Sequence, residues 1–174
     1  KWELSVIYPY ISTKNLVLQY FEIDKGPFNE TSSALVFAVQ RRYLQMLDGF
    51  CKKNDLKLKF IDNLHIAAER SLSVSNAIVY KGLTLSVYFN NKFLSLFYAF
   101  NGKPLYFKVI PLNDAGQITE HLIKETSQSS ILNVQRSQIE AAFISGDEIS
   151  PAIVQTLKKV LGLDFIPFNP FDKI

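Results

Sequence analysis

Apolar and polar positions alternate along much of this chain, in blocks of strand length. Leu16–Ile23 (LVLQYFEI) reads as a strand, followed at Asp24–Ser33 by a loop containing Gly26, Pro27 and Asn29. Ala34–Val39 is short and continuously apolar, as expected for a strand covered on both faces. From Arg41 to Asn54 the period changes. Tyr43, Leu44, Leu47, Phe50 and Cys51 recur at helical spacing, which predicts a helix with those side chains toward a core. Leu56–Ile61 alternates again, so strand, helix and strand make a βαβ-like unit.

Asp62 or Asn63 can cap a helix running to about Leu72, followed by the Ser-rich joint Ser71–Ser75. The next stretch is the most β-like, with strands expected near Asn76–Tyr80, Leu83–Phe89, Phe93–Phe100 and Pro104–Ile110. Asn90-Asn91 and Asn101-Gly102 lie between these apolar runs, where tight hairpins place residues at positive φ. Asp114 and Gln117 resemble a capping box for a helix to about Lys124, and Ser127–Ser137 is polar, a loop or a short helix. The closing unit is a strand at Ala141–Ile144, a turn at Ser145-Gly146-Asp147, a helix to Leu161 and an extended tail, Asp164–Phe171. Ser150 as cap and Pro151 in the first turn mark that helix start strongly.

Composition narrows the class without deciding it. The chain has 174 residues, 48% hydrophobic and 20% charged, which excludes a disordered or collagen-like polymer. Fourteen Phe and eight Tyr at alternating positions favour strands. No apolar run approaches the roughly 20 residues that span a bilayer, and no secretory signal is present. The first residue is Lys1 rather than Met, which suggests a longer parent. The net charge of +3 concentrates at Arg41, Arg42, Lys52, Lys53, Lys57 and Lys59. The ordinary reading of that patch is a solvated helix face; a functional one is contact with an acidic partner or an anionic membrane surface.

Candidate chemistry is sparse. The single Cys51 excludes an internal disulfide and any Cys-based metal cluster, and its helical position suggests packing rather than nucleophilic chemistry. There is no P-loop, dinucleotide fingerprint, HExxH or GxSxG. His65 and His121 lack a second ligand at metal spacing, which favours structural or surface roles. Asp24, Asp62, Asp114, Asp147, Asp164 and Asp172 sit at helix starts and loops. None lies in the hairpin strands, where a two-metal nuclease would need its first acid.

The order of elements nevertheless resembles one family. ALVFAVQRRYLQMLDGFCKKNDLKLKFID leads into NLHIAAERSL, then into the meander YKGLTLSVYFNNKFLSLFYAFNGKPLYFKVIPL, and the chain closes on IEAAFISGDEISPAIVQTLKKVLGLDFIPFNPFDKI. This is similar to the PilM family of type IV pilus assembly proteins, actin-like relatives of the cell-division protein FtsA and of the cytoplasmic part of the secretion protein GspL. Val36–Asp62 follows that family's rhythm before its linking helix, and Leu161-Gly162-Leu163, Asn169-Pro170-Phe171 and Ile174 match its closing pattern.

The resemblance implies an actin-like, ribonuclease H-like α/β fold with mixed sheets, flanking helices and two lobes. These would be an N-terminal α/β lobe over 1–72 and an actin-type lobe over 73–174. In working members a turn bearing an acid approaches the nucleotide phosphates and their metal. The equivalent turn here is Tyr88-Phe89-Asn90-Asn91, and no Asp or Glu occurs between Tyr80 and Val109. The adenosine-side motif is reduced to Ser145-Gly146-Asp147, and the first phosphate loop would lie upstream of the residues present. Asn90, Asn91, Gly146 and Asp147 are therefore expected to be inactive remnants of a nucleotide site, with no catalytic residue, metal or cofactor.

The expected role is a non-catalytic scaffold in the cytoplasmic platform of a type IV pilus or type II secretion system. It would bind the cytoplasmic tail of a PilN-like or GspL-like inner-membrane protein, with no nucleic acid and no direct membrane insertion, and it could form an oligomer. An ATPase using ATP with Mg, whose phosphate loop lies outside this sequence, is the alternative. An unrelated α/β interaction domain is the third reading, although basic and aromatic residues are not interleaved as single-strand binding requires.

Overall fold

The structure, a computed structural model, describes residues 2–10, 12–76, 81–114, 116–127, 132, 134–147 and 149–169. The chain divides into two compact units: 1–22 with 34–62, and 23–33 with 63–174. The contacts thus group the helix after residue 63 with the second unit, whereas the expected division falls at residue 72.

The first unit contains a short helix α1 (Trp2–Ile7), strands β1 (Leu16–Ile23) and β2 (Ser33–Gln40) in a two-stranded sheet, and helix α2 (Arg41–Lys53). Phe21 and Phe37 meet edge to face across this sheet, with ring centroids 6.0 Å apart. Two sequence-based expectations fail here. Leu56–Ile61 forms no strand, so there is no βαβ unit. The chain leaves α2 through Asp55 at φ 55°, with the Leu56 N–H donating to the Cys51 carbonyl, and Leu56, Phe60 and Ile61 are exposed. Alternation specifies which side chains share a face, but a strand also needs a neighbouring ladder. Nor does α2 bury its apolar side: none of its residues is buried, and Tyr43, Leu47 and Phe50 are exposed.

The second unit is built on a five-stranded mixed sheet. Helix α3 (Leu64–Asn76) precedes β3 (Leu83–Phe89), β4 (Phe93–Phe100) and β5 (Lys103–Pro111). Helix α4 (Gln117–Ser127), strand β6 (Ile139–Gly146), helix α5 (Pro151–Leu161) and the short β7 (Phe165–Pro167) follow. The spatial order is β5-β4-β3-β6-β7: β3, β4 and β5 form an antiparallel meander, while β6 pairs parallel with β3, and β7 parallel with β6. A parallel pair needs a crossover, and the segment carrying α4 supplies it.

Local chemistry accounts for the joints. Asn101 (φ 50°) and Gly102 (φ 76°) make the β4–β5 hairpin with both residues at positive φ, as the pair suggests. Asn90-Asn91 does not; neither takes positive φ. Its turn is made by a side chain instead, the Asn90 Oδ1 accepting from the N–H of Lys92 and of Phe93 at 2.9 and 3.0 Å. Asn63 caps α3 through Oδ1 to the His65 N–H (2.9 Å), and Ser150 caps α5 by accepting from the Ile153 N–H. Gly162, at φ 69°, closes α5. Asn76 is helical, not the start of a strand, and the rest of that expected strand (77–80), with Pro170, Phe171 and Ile174, lies outside the described residues.

Side chains alternate across the sheet. Leu83, Leu85, Val87 and Phe89 of β3 join Leu94, Leu96, Ala142 and Ile144 in a core with Ile118 and Leu122 of α4 and Leu157 and Leu161 of α5. Leu157 is fully buried. Its replacement, Leu157→Ala, should cost about 2–5 kcal/mol in urea denaturation; a loss below about 1 kcal/mol would show that α5 is not packed on the sheet.

Candidate functional site

The register of β3 against β6 brings the sequence-predicted positions together. Tyr88 lies opposite Ser145 and Phe89 opposite Gly146, so the Asn90-Asn91 turn and the Gly146-Asp147 turn leave the sheet side by side. The carboxyl ends of adjacent parallel strands are where α/β sheets ordinarily build ligand sites. The two turns are tied through the backbone, the Asp147 N–H donating to the Phe89 carbonyl at 3.0 Å. Gly146 takes φ 132°, and a Cβ there would lie 1.9 Å from that same carbonyl oxygen. Glycine is needed for β6 to approach β3 this closely.

Tyr88 fills out the strand ends. Its ring stacks on Phe93 with centroids 5.9 Å apart and an interplanar angle of 30°. Burial pushes its hydroxyl pKa up, the charge of Asp147 adds to the rise, and a hydrogen bond with Asn90 opposes it. The buried hydroxyl of Ser145 has no partner among the described residues.

A second polar cluster lies between α3 and the sheet, and the sequence reading assigned its histidine only a structural or surface role. His65 is buried with Ser86 and Ser95. Ser86 lies 3.0 Å from Nε2, Ser95 2.7 Å from Nδ1, and Ser86 is also hydrogen-bonded to Glu69. A carboxylate only accepts, so the Ser86 hydroxyl donates to Glu69, Nε2–H donates to Ser86, and Nδ1 accepts from Ser95. Phe97 and Phe107 pack around the ring. Burial lowers the His65 pKa from 6.5 to about 3 and raises that of Glu69. Both serines are buried, so neither is placed to meet a substrate. The cluster anchors α3. His121 lies elsewhere, on α4, and no group of three metal-ligating side chains occurs among the described residues.

No protein-family model and no curated protein matches the chain. Several solved structures do. One is a chain of a PilM–PilN type IV pilus biogenesis complex: TM-score 0.72 and 16% identity, covering 98% of this chain and 61% of that one. Another is a Bacteroides thetaiotaomicron protein of unknown function with an actin-like ATPase fold, at TM-score 0.53 and 10% identity, covering 98% and 62%. The fold is actin-like. This chain spans about three-fifths of the length of each neighbour.

The neighbour's actin-like ATPase fold raises the question of a magnesium nucleotide, and the donors at the strand ends here answer poorly to one. Asp147 is the carboxylate beside the turn, Asn90 Oδ1 is engaged by two backbone amides, and Gly146 is closed against Phe89. A phosphate-bound Mg²⁺ needs free oxygen ligands in near-octahedral array. These residues do not fit that group.

Two outcomes check this geometry. Gly146→Ala should destabilise by at least about 2 kcal/mol, whereas Gly102→Ala, at positive φ with open space around its Cβ, should cost about 1–2 kcal/mol; equal losses in denaturant melts would argue against the close approach. A folded-state pKa below the unfolded value gives stability that is present above pH 6.5 and lost as pH falls toward 3. The stability difference between the wild type and His65→Leu should therefore shrink by about 3 kcal/mol from pH 7 to pH 4. A pH-independent difference would place His65 in solvent.

Proposed function

We propose that the chain is a non-catalytic actin-like scaffold of the cytoplasmic platform in a type IV pilus or type II secretion system. It holds the cytoplasmic tail of a PilN-like or GspL-like inner-membrane protein and so lies at the membrane through that partner. The observation that carries this reading is an actin-like fold whose strand-end turn offers amides and stacked rings where nucleotide chemistry calls for carboxylates. The likeness to a chain from a PilM–PilN complex supports the class of partner. A sheet-based scaffold takes an extended tail by backbone pairing with side-chain pockets for specificity. Among the described residues no helix is long and apolar enough to cross a membrane, which accords with attachment through another protein.

The alternative, an actin-like ATPase using ATP with Mg, draws on one observation, the orphaned Ser145 hydroxyl beside Gly146. One pair of measurements separates the two. Calorimetric titration with the cytoplasmic tail of a PilN-like membrane protein should give saturable binding, and Mg·ATP should leave the melting temperature unchanged. No tail binding, together with a magnesium-dependent rise in melting temperature, would replace the scaffold by the ATPase.

A further inference from the structure

Strands β1 and β2 lie in the first unit but for one terminal residue each, yet the loop that joins them groups with the second, together with Ile23 and Ser33. Along 24–32 one side chain is buried. Phe28 keeps 7% of its surface in water, Asn29 is half-buried, and the rest are exposed. The Phe28 ring joins the core of the second unit and meets Phe100 edge to face, with centroids 5.2 Å apart and an interplanar angle of 74°. Phe100 ends β4 opposite Leu83, the first residue of β3, so the ring is seated at one corner of the sheet. A connecting loop ordinarily runs over the surface and needs no such contact. A lone aromatic in an apolar seat with polar flanks in water is the form of an anchor.

The loop is built to present that ring. Gly26 and Asn29 pair across the two-residue turn Pro27-Phe28, the Gly26 N–H donating to the Asn29 carbonyl at 3.1 Å. The Asn29 Nδ2 donates to the carbonyls of Asp24 (2.8 Å) and Thr31 (3.2 Å), and Pro27 fixes φ at the first turn position. These bonds are internal to the loop, so the turn does not need the seat in order to form. The docked loop also carries a cost, because the Asn29 Oδ1 is buried with no partner among the described residues. The gain from burying one ring and the cost of one unsatisfied oxygen are of the same order. Docked and released loops are therefore close in free energy.

We propose that the β1–β2 loop is a latch: Phe28 seated at the Leu83–Phe100 corner couples the two units, and release of the ring lets them move independently. The path of the chain gives the reason. With the ring seated, the chain passes from one unit to the other at 22–23, 33–34 and 62–63. Once the ring leaves, 23–33 travels with β1 and β2, and 62–63 is the one passage that remains. Residues 56–63 form neither helix nor strand, which suits a segment that must absorb changes in φ and ψ. The latch stands independently of the scaffold reading.

The test is limited trypsin digestion of the full chain, read as initial rates at single sites, with amide nitrogen relaxation on the same proteins. In Phe28→Ala, cleavage after Lys25 in the loop should accelerate about tenfold or more, while cleavage after Lys108 within β5 keeps its wild-type rate. The two units should share one rotational correlation time in the wild type and show two in Phe28→Ala. Phe28→Leu, which keeps an apolar anchor, should retain slow cleavage and a single time. In the wild type itself, cleavage after Lys25 should depend on urea far less than cleavage after Lys108, as local opening does. Equal acceleration at both sites, equal urea dependence, or a Phe28→Ala chain that no longer folds would make Phe28 an ordinary core residue and overturn the latch. Unchanged cleavage after Lys25 overturns it too, as does one shared correlation time in both proteins.

Discussion

The parallel pairing of β3 with β6 is the constraint on which the second unit depends. It forces the chain to leave the meander, cross over through α4 and return beside its own central strand. It leaves Gly146 pressed on the Phe89 carbonyl and so fixes where two distant turns meet. It also sorts the sheet into two unlike faces. Leu85 and Val87 face the core with α4 and α5, while Ser86 on the other side joins the His65 cluster beneath α3. Apolar packing supplies the stabilisation on the first face. On the second, a satisfied polar chain specifies how α3 sits, because a half-satisfied one would be costly.

The same pairing gives the candidate site its character. Strand ends that could cradle a phosphate are occupied by the protein's own groups: the Asn90 carbonyl turned inward to two amides, the Tyr88 ring laid on Phe93, and the Asp147 amide spent on Phe89. This is the observation on which the proposed scaffold role rests. The first unit differs in kind. Its two-stranded sheet and uncovered α2 stripe leave apolar surface in solvent, and two strands alone are marginal in water. Such a unit is suited to surfaces that complete it.

Much of this was legible in the residues, unevenly and for physical reasons. Leu16–Ile23, the Asn101-Gly102 hairpin and the Ser150-Pro151 helix start were readable because each is set by local chemistry: alternation, positive φ, capping. Leu56–Ile61 has the alternation of a strand and forms none, since a ladder depends on a neighbour that local pattern does not encode. The α2 stripe showed amphipathicity but not what would cover it. Asn90, Asn91, Gly146 and Asp147 were singled out by resemblance; that they adjoin follows from a non-local register invisible in any one segment. The partnership of His65 with Ser86 and Ser95, 21 and 30 residues away, had no sequence signal beyond a histidine among apolar neighbours.

The central claim is that the ends of β3 and β6 are closed on themselves. Amide hydrogen exchange at Asp147 tests it most directly, because that N–H is the bond joining the two turns. Closed strand ends should leave this amide protected to the level of the sheet core, with the same protection in the presence of Mg·ATP. A freely exchanging Asp147 amide that becomes protected only when the nucleotide is added would contradict it.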